Sequence, residues 1–125
     1  MAGLTLDSGA LIATEKSNRR VWGFLKQAHQ IDAKVTVPAV VLAQVWRGNN
    51  AVLARLLKGC DIESLDETKA KAVGRLLAKS GTNDIVDAAV VFGAAKRGDA
   101  VVTSDPGDLL ALSEAVCVRL EILQV

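Results

Sequence analysis

Residues 4–13 read LTLDSGALIA, an apolar run of strand length that ends on a carboxylate and passes straight into a helix-like segment. A strand feeding directly into a helix is the first half of a strand–helix–strand crossover. The same grammar returns at residues 100–109, AVVTSDPGDL, where an apolar run again ends near an aspartate and a helix follows the proline. Between and beyond these two stretches, strand-length runs at 34 to 38, 60 to 65 and 116 to 122 alternate with helical segments at 9 to 15, 18 to 30, 39 to 47, 50 to 58, 67 to 80, 84 to 97 and 106 to 114. Gly48, Gly59, Gly81 and Gly98 punctuate the helices as stops. The alternation predicts an α/β fold with a parallel sheet and helices on both faces, in which functional groups collect at the carboxyl ends of the strands. Asp7 and Asp105 fall at two such ends.

The chain has 125 residues, 50% of them apolar and 23% charged, which suits one domain with a sizeable core. That core must be aliphatic, because Trp22, Phe24, Trp46 and Phe92 are the only aromatic residues. A net charge of +1 provides no strong global field, so a nucleic-acid partner would have to be held by a local basic patch. The amino-terminal stretch lacks the basic and long apolar regions of a signal peptide, and no apolar run approaches the ~20 residues of a membrane span. A cytoplasmic protein with no membrane association is expected. Cys60 and Cys117 lack metal-ligand spacing and read as reduced, structural residues. His29, the only histidine, reads as a solvated helix residue, and alone it cannot build a His-rich metal site or a catalytic triad. No repeat, low-complexity tract or linker divides the chain.

Each acid near a strand end has a local explanation. Asp7 could cap the next helix, Asp105 precedes Pro106, and Asp84 and Asp87 suit the positive end of a helix. Jointly these explanations fare worse, because Asp7 ends a buried-looking strand and Asp87 precedes the apolar run AAVVFGAA. If the carboxyl ends of the first and fourth strands are neighbours, Asp7, Asp87 and Asp105 converge. Carboxylates so placed repel and raise one another's pKa unless a cation neutralises them. Oxygen ligands without His or Cys select Mg²⁺ or Mn²⁺ over zinc, and such an ion can activate a water and orient a phosphodiester. A hydrolytic phosphodiesterase site is the expectation. Other phosphate chemistries fit poorly: there is no GxGxxG, residues 74–80 (GRLLAKS) miss the P-loop pattern, and Asp7-Ser8-Gly9 lacks the second acid of an aspartyl phosphatase.

The stretches LTLDSGALIA, VPAVVLAQVWRG, NDIVDAAVVFGAAKRG and AVVTSDPGDL, in this order and spacing, resemble the PIN-domain family over nearly the whole chain. Among its branches the chain looks most like the compact VapC-type toxins of prokaryotic toxin–antitoxin pairs. The resemblance implies a single PIN-like α/β/α domain with a central, mainly parallel sheet flanked by helices. It also implies a Mg²⁺-dependent ribonuclease acting on RNA, inhibited by a small antitoxin protein, and a homodimer. The family's first, third and fourth acids match Asp7, Asp87 and Asp105, and the hydroxyl before the fourth matches Thr103. The second acid, usually a Glu after the second strand, falls on Gln44. An amide can offer oxygen to a metal or its water, but it carries no charge and cannot act as a general base. Weaker metal binding and a lower rate are therefore expected, with Asp84 or Asp108 as partial substitutes. The alternative is a PIN-like domain that has lost efficient catalysis and serves as an RNA-binding or partner-binding module.

Lys16, Arg19, Arg20 and Arg47 are the basic residues expected to meet RNA phosphates, which would position a strand without specifying its sequence. A solvated charged face is the competing explanation. Trp22, Phe24 and Trp46 could stack on bases or line an antitoxin groove, yet their helical setting predicts a core role for at least two of them.

Overall fold

A computed structural model describes residues 2–125. Its elements are, in chain order, β1 (Leu4–Leu6), α1 (Ser8–Glu15), α2 (Arg19–Gln30), β2 (Val35–Pro38), α3 (Ala39–Val45), α4 (Ala51–Leu57), β3 (Asp61–Glu63), α5 (Glu67–Ser80), α6 (Ile85–Arg97), β4 (Ala100–Thr103), α7 (Gly107–Ala115) and β5 (Glu121–Gln124). The strands form one five-stranded sheet in the order β3-β2-β1-β4-β5, and every neighbouring pair is parallel. The predicted α/β architecture with a parallel sheet is the one observed.

Helix boundaries follow local chemistry. Asn18, Asn50, Asp66 and Asp84 each accept a backbone N–H from the first turn of the helix they precede. At the other end, α5 and α6 stop on Gly81 and Gly98, whose φ of +71° and +72° a residue with a Cβ adopts only under strain. Gly48 is not a cap: α3 ends at Val45, and Trp46 is already extended. The last strand is also shorter than its apolar pattern suggests. Val116 caps α7 and Cys117 turns the chain at φ +56°, so pairing with β4 begins only at Glu121.

Strands buried on both faces read as continuous apolar runs, and Leu4, Leu6, Val37, Ala100, Val101 and Val102 are all fully buried. Helix α6 packs across β1, β2 and β4, whereas α1 packs on β1 and β4 and is backed by α2, α3 and α4. The order in which strands are added reverses between β1 and β4. Strands β2 and β3 build outward on one side of β1, then α5 and α6 carry the chain back to its other side. In open parallel sheets the crevice at such a reversal, outside the carboxyl ends, is where ligands bind. The residues leaving β1 and β4 there are Asp7 and Thr103 to Asp105.

The aromatic expectation needs correction. Phe24 packs against the core, but Trp22 and Trp46 are 39% and 38% exposed, so only one of the three is interior. Residues two apart on a helix point about 200° away from each other, so burying Phe24 on α2 turns Trp22 outward. Cys117 is exposed, not structural. Cys60 is half-buried, donates to the Leu56 carbonyl at 3.4 Å, and has its thiol pushed up to about 11 by burial and by Asp61. His29 is exposed, as expected.

Candidate functional site

The register Leu6↔Val102 places Asp7 beside Thr103, and the Asp7 amide donates to the Val102 carbonyl at 3.3 Å. Asp7 is 9% exposed and is also the N-cap of α1, its Oδ1 accepting from the Ala10 amide at 2.9 Å. Capping and convergence are thus the same placement. Burial raises its pKa, and the Thr103 hydroxyl with the Ala10 and Gly9 amides offsets part of that rise. Thr103 is fully buried and its Oγ1 accepts from the Asp105 amide at 3.1 Å. With its lone pair engaged there, the hydroxyl hydrogen is free to favour the Asp7 carboxylate.

Asp87 reaches the same crevice from the first turn of α6. Its pKa is pushed up to about 6, first by burial and then by the carboxylates of Asp84, Asp108, Asp7 and Asp105. Those four residues come from the Asn83-Asp84 turn, the first turn of α7 and the ends of β1 and β4. Asp84 is engaged in part as the α6 cap, its Oδ1 accepting from the Asp87 amide at 3.0 Å. Asp105 and Asp108 are exposed.

The acids ring the crevice without closing on a point. Among the described residues no three Asp, Glu, His or Cys side chains form a group tight enough to hold an ion. The predicted trio of Asp7, Asp87 and Asp105 is therefore brought to one edge but not drawn into a finished coordination shell. The donor set itself, carboxylate and hydroxyl oxygens without His or Cys, suits a hard divalent cation.

Gln44 is exposed on α3 and takes no side-chain hydrogen bond among the described residues, so nothing ties it to the acids. Arg47 is exposed as well. Its guanidinium donates to the Trp46 carbonyl at 2.8 Å and the Ala43 carbonyl at 3.4 Å, closing the frayed end of α3. Lys16, Arg19 and Arg20 are exposed and form no ion pair among the described residues.

Gly9 was not singled out from the sequence. A Cβ on it would overlap the Ser104 hydroxyl and lie 3.2 Å from the Ser104 backbone nitrogen. Its bare backbone lets the first turn of α1 approach the loop that carries Asp105. The available signal was a glycine in a helix's first turn, where an alanine would favour the helix by about 1 kcal/mol. A cavity of about 410 Å³ opens beside the acids, bounded by the α5–α6 turn and by α7, with Asp84, Asp87 and Asp108 on its wall.

No protein-family profile matches the chain. No curated protein matches it either. Solved structures do. The chain is similar to one in VapBC2 from Rickettsia felis, a complex bound to a DNA fragment from their promoter, with a TM-score of 0.71 and 14% identity over 98% of both chains. It is similar to one in FitAcB from Neisseria gonorrhoeae, with a TM-score of 0.66 and 17% identity over 97% of this chain and 96% of that one. PAE2754 from Pyrobaculum aerophilum aligns with a TM-score of 0.63 and 16% identity over 97% and 83% of the two chains. The acids at the β1–β4 crevice therefore stand on a shared scaffold, and the chain has the PIN-domain fold along essentially its whole length.

Proposed function

We propose that the protein is a Mg²⁺- or Mn²⁺-dependent ribonuclease that hydrolyses RNA phosphodiester bonds as the toxin of a toxin–antitoxin pair. The observation that carries this reading is Asp87, whose carboxyl is pushed up to about 6 by burial and by four surrounding acids with no basic residue among the causes. A site so arranged would be stabilised by a divalent cation. Asp7, Asp87 and Asp105 would hold the metal, whose chemistry is to lower the pKa of a bound water and neutralise charge on a phosphate. Asp7 is pre-aimed by the Ala10 amide and by Thr103, while Asp84 and Asp108 lend further negative charge. Arg19 and Arg20 supply exposed positive charge for RNA phosphates. A small antitoxin protein and a second copy of the chain are the proposed partners. VapBC2 and FitAcB share the fold, which supports this part of the reading.

Gln44 favours a second reading. It is exposed and unengaged where a fourth acid is expected, which suits a domain that binds RNA or a partner and cuts poorly. Incubating single-stranded RNA with the protein in Mg²⁺, Mn²⁺ or chelator separates the two. Metal-dependent cleavage that Asp7→Ala abolishes supports the nuclease. Cleavage by Gln44→Glu alone supports the binding module, and no cleavage by either protein removes the nuclease reading.

A further inference from the structure

Asp7 and Asp105 lie on different segments, and two links join them. One is Thr103, whose hydroxyl favours the Asp7 carboxylate and accepts from the Asp105 amide at 3.1 Å. The other is a contact across Gly9. Its amide donates to the Asp7 carboxylate, and its bare Cα lies against Ser104, the residue before Asp105.

Backbone conformation does not demand this glycine. Gly9 sits in the first turn of α1 without a left-handed φ, where an alanine would favour the helix. What excludes a side chain is Ser104. A Cβ on Gly9 would overlap the Ser104 hydroxyl and lie 3.1 Å from the Ser104 Cβ and 3.2 Å from its nitrogen. The hydroxyl can rotate to another staggered position. The Cβ and the nitrogen move only with the loop, and ordinary contact begins at 3.4 Å, so an alanine would push the Asp105 segment outward by a few tenths of an ångström.

A shift of that size matters for a hard cation. Mg²⁺ demands near-ideal octahedral geometry with oxygens at about 2.0–2.1 Å, whereas Ca²⁺ accepts them at about 2.3–2.6 Å in a flexible shell. We propose that Gly9 and Ser104 are positioning residues, whose contact sets the spacing of Asp7 and Asp105 and thereby the preference of the site for Mg²⁺ over the larger Ca²⁺. The inference rests on the metal-dependent nuclease reading, because this spacing counts only where both acids hold one ion.

Mg²⁺ and Ca²⁺ are titrated separately by calorimetry into metal-free wild type, Gly9→Ala and Gly9→Ala/Ser104→Gly, with RNA cleavage followed in parallel. Gly9→Ala should weaken Mg²⁺ binding by about tenfold, the scale of outer-shell changes at metal sites, and Ca²⁺ binding by less than about threefold. Ser104→Gly removes the hydroxyl and the Cβ and leaves only the backbone nitrogen in the way, so the double variant should return to within about threefold of the wild type for Mg²⁺. Equal weakening of both ions would show that an alanine here only disturbs packing. That result, unchanged Mg²⁺ binding in Gly9→Ala, or no recovery in the double variant, overturns the proposal. If Gly9→Ala folds only together with Ser104→Gly, the remaining approach to the nitrogen must still weaken Mg²⁺ more than Ca²⁺, and an unchanged ratio overturns the proposal; so does failure of both variants to fold, since the glycine would then serve the core. Wild type that cuts RNA, with an unchanged ion preference in Gly9→Ala, loses the positioning role alone. The expected ion shifts in a protein that cuts nothing keep that role and remove the nuclease reading.

Discussion

Two groups of acids in this molecule are handled in opposite ways. At the end of α6, Glu63 and Asp99 meet the partly buried Arg97, whose Nη1 donates to Glu63 at 2.6 Å, Nε to Asp99 at 2.8 Å and Nη2 to the Thr5 hydroxyl at 2.9 Å. Thr5 in turn donates to Asp99 at 2.8 Å, so the network is closed. Burial alone would lower the Arg97 pKa, but its bonds to Asp99 and Glu63 raise it above the ordinary value. At the carboxyl ends of β1 and β4, by contrast, Asp87 is surrounded by Asp84, Asp108, Asp7 and Asp105, and burial and these acids push its carboxyl up to about 6 with no basic residue among the causes. Where the chain needs acids only for structure it supplies the cation itself. Where it leaves them uncompensated, their mutual repulsion costs stability, which the proposed cation would offset.

The paired region should break hardest. Arg97→Met strands Asp99, whose side chain is 4% exposed, and leaves Glu63 only the longer pair with Lys69 at 3.7 Å, and should lower unfolding free energy by about 3 kcal/mol in urea melts. Glu63→Gln added to that variant should recover part of the loss, because one of the stranded charges is gone. An unchanged midpoint in the single variant would show that the network contributes nothing net. At the unpaired edge the effect has the opposite origin. Mg²⁺ at 100 times its dissociation constant should stabilise the wild-type protein by about 2.7 kcal/mol, and Asp7→Asn should abolish most of that gain. Calorimetry with and without the ion measures both, and a Mg²⁺ response retained in Asp7→Asn would remove Asp7 from the metal shell.

These contrasts also mark what the sequence could convey. Asp7 and Asp105 were legible because a carboxylate ending an apolar strand is locally anomalous, and Gly81 and Gly98 fixed helix ends because their backbone angle is a local demand. The Arg97 network had no such signal. Thr5, Glu63, Arg97 and Asp99 are ordinary residues in their own segments, and only the order β3-β2-β1-β4 with α6 laid across it brings them together. Gly9 hides for the same reason, since its close partner Ser104 is far away in sequence. The stretch 116 to 122 differs in the other direction: its alternating apolar residues look like one long strand, yet after the left-handed turn at Cys117 only Ile122 of them lies in the sheet. Helical spacing for the aromatic set does not fix each tryptophan's side, because Trp22 and Phe24 occupy opposing faces of α2.

The smallest expected effect tests the unpaired edge most directly. In metal-free protein Asp87 has a folded pKa of about 6 against 3.8 for the unconstrained side chain. A raised carboxyl pKa means the folded state binds the proton more tightly than the unfolded one, so the associated stability is fully present below pH 3.8 and is lost as pH rises to about 6. Asparagine has nothing to ionise. Asp87→Asn should therefore match the wild type near pH 3.5, gain over it between about pH 4 and 6, and hold a constant advantage above that. Because Asp87 is half-buried and partly screened by water, the plateau should be on the order of 1–2 kcal/mol. Saturating Mg²⁺ should cancel the advantage at pH 8, since the ion stabilises the ionised wild type and finds one ligand fewer in the variant. Thermal melts of both proteins across this range, with chelator and then with Mg²⁺, carry the test. A pH-independent difference would show that Asp87 acts through packing alone, and the contrast with the Arg97 network would then lose its electrostatic meaning.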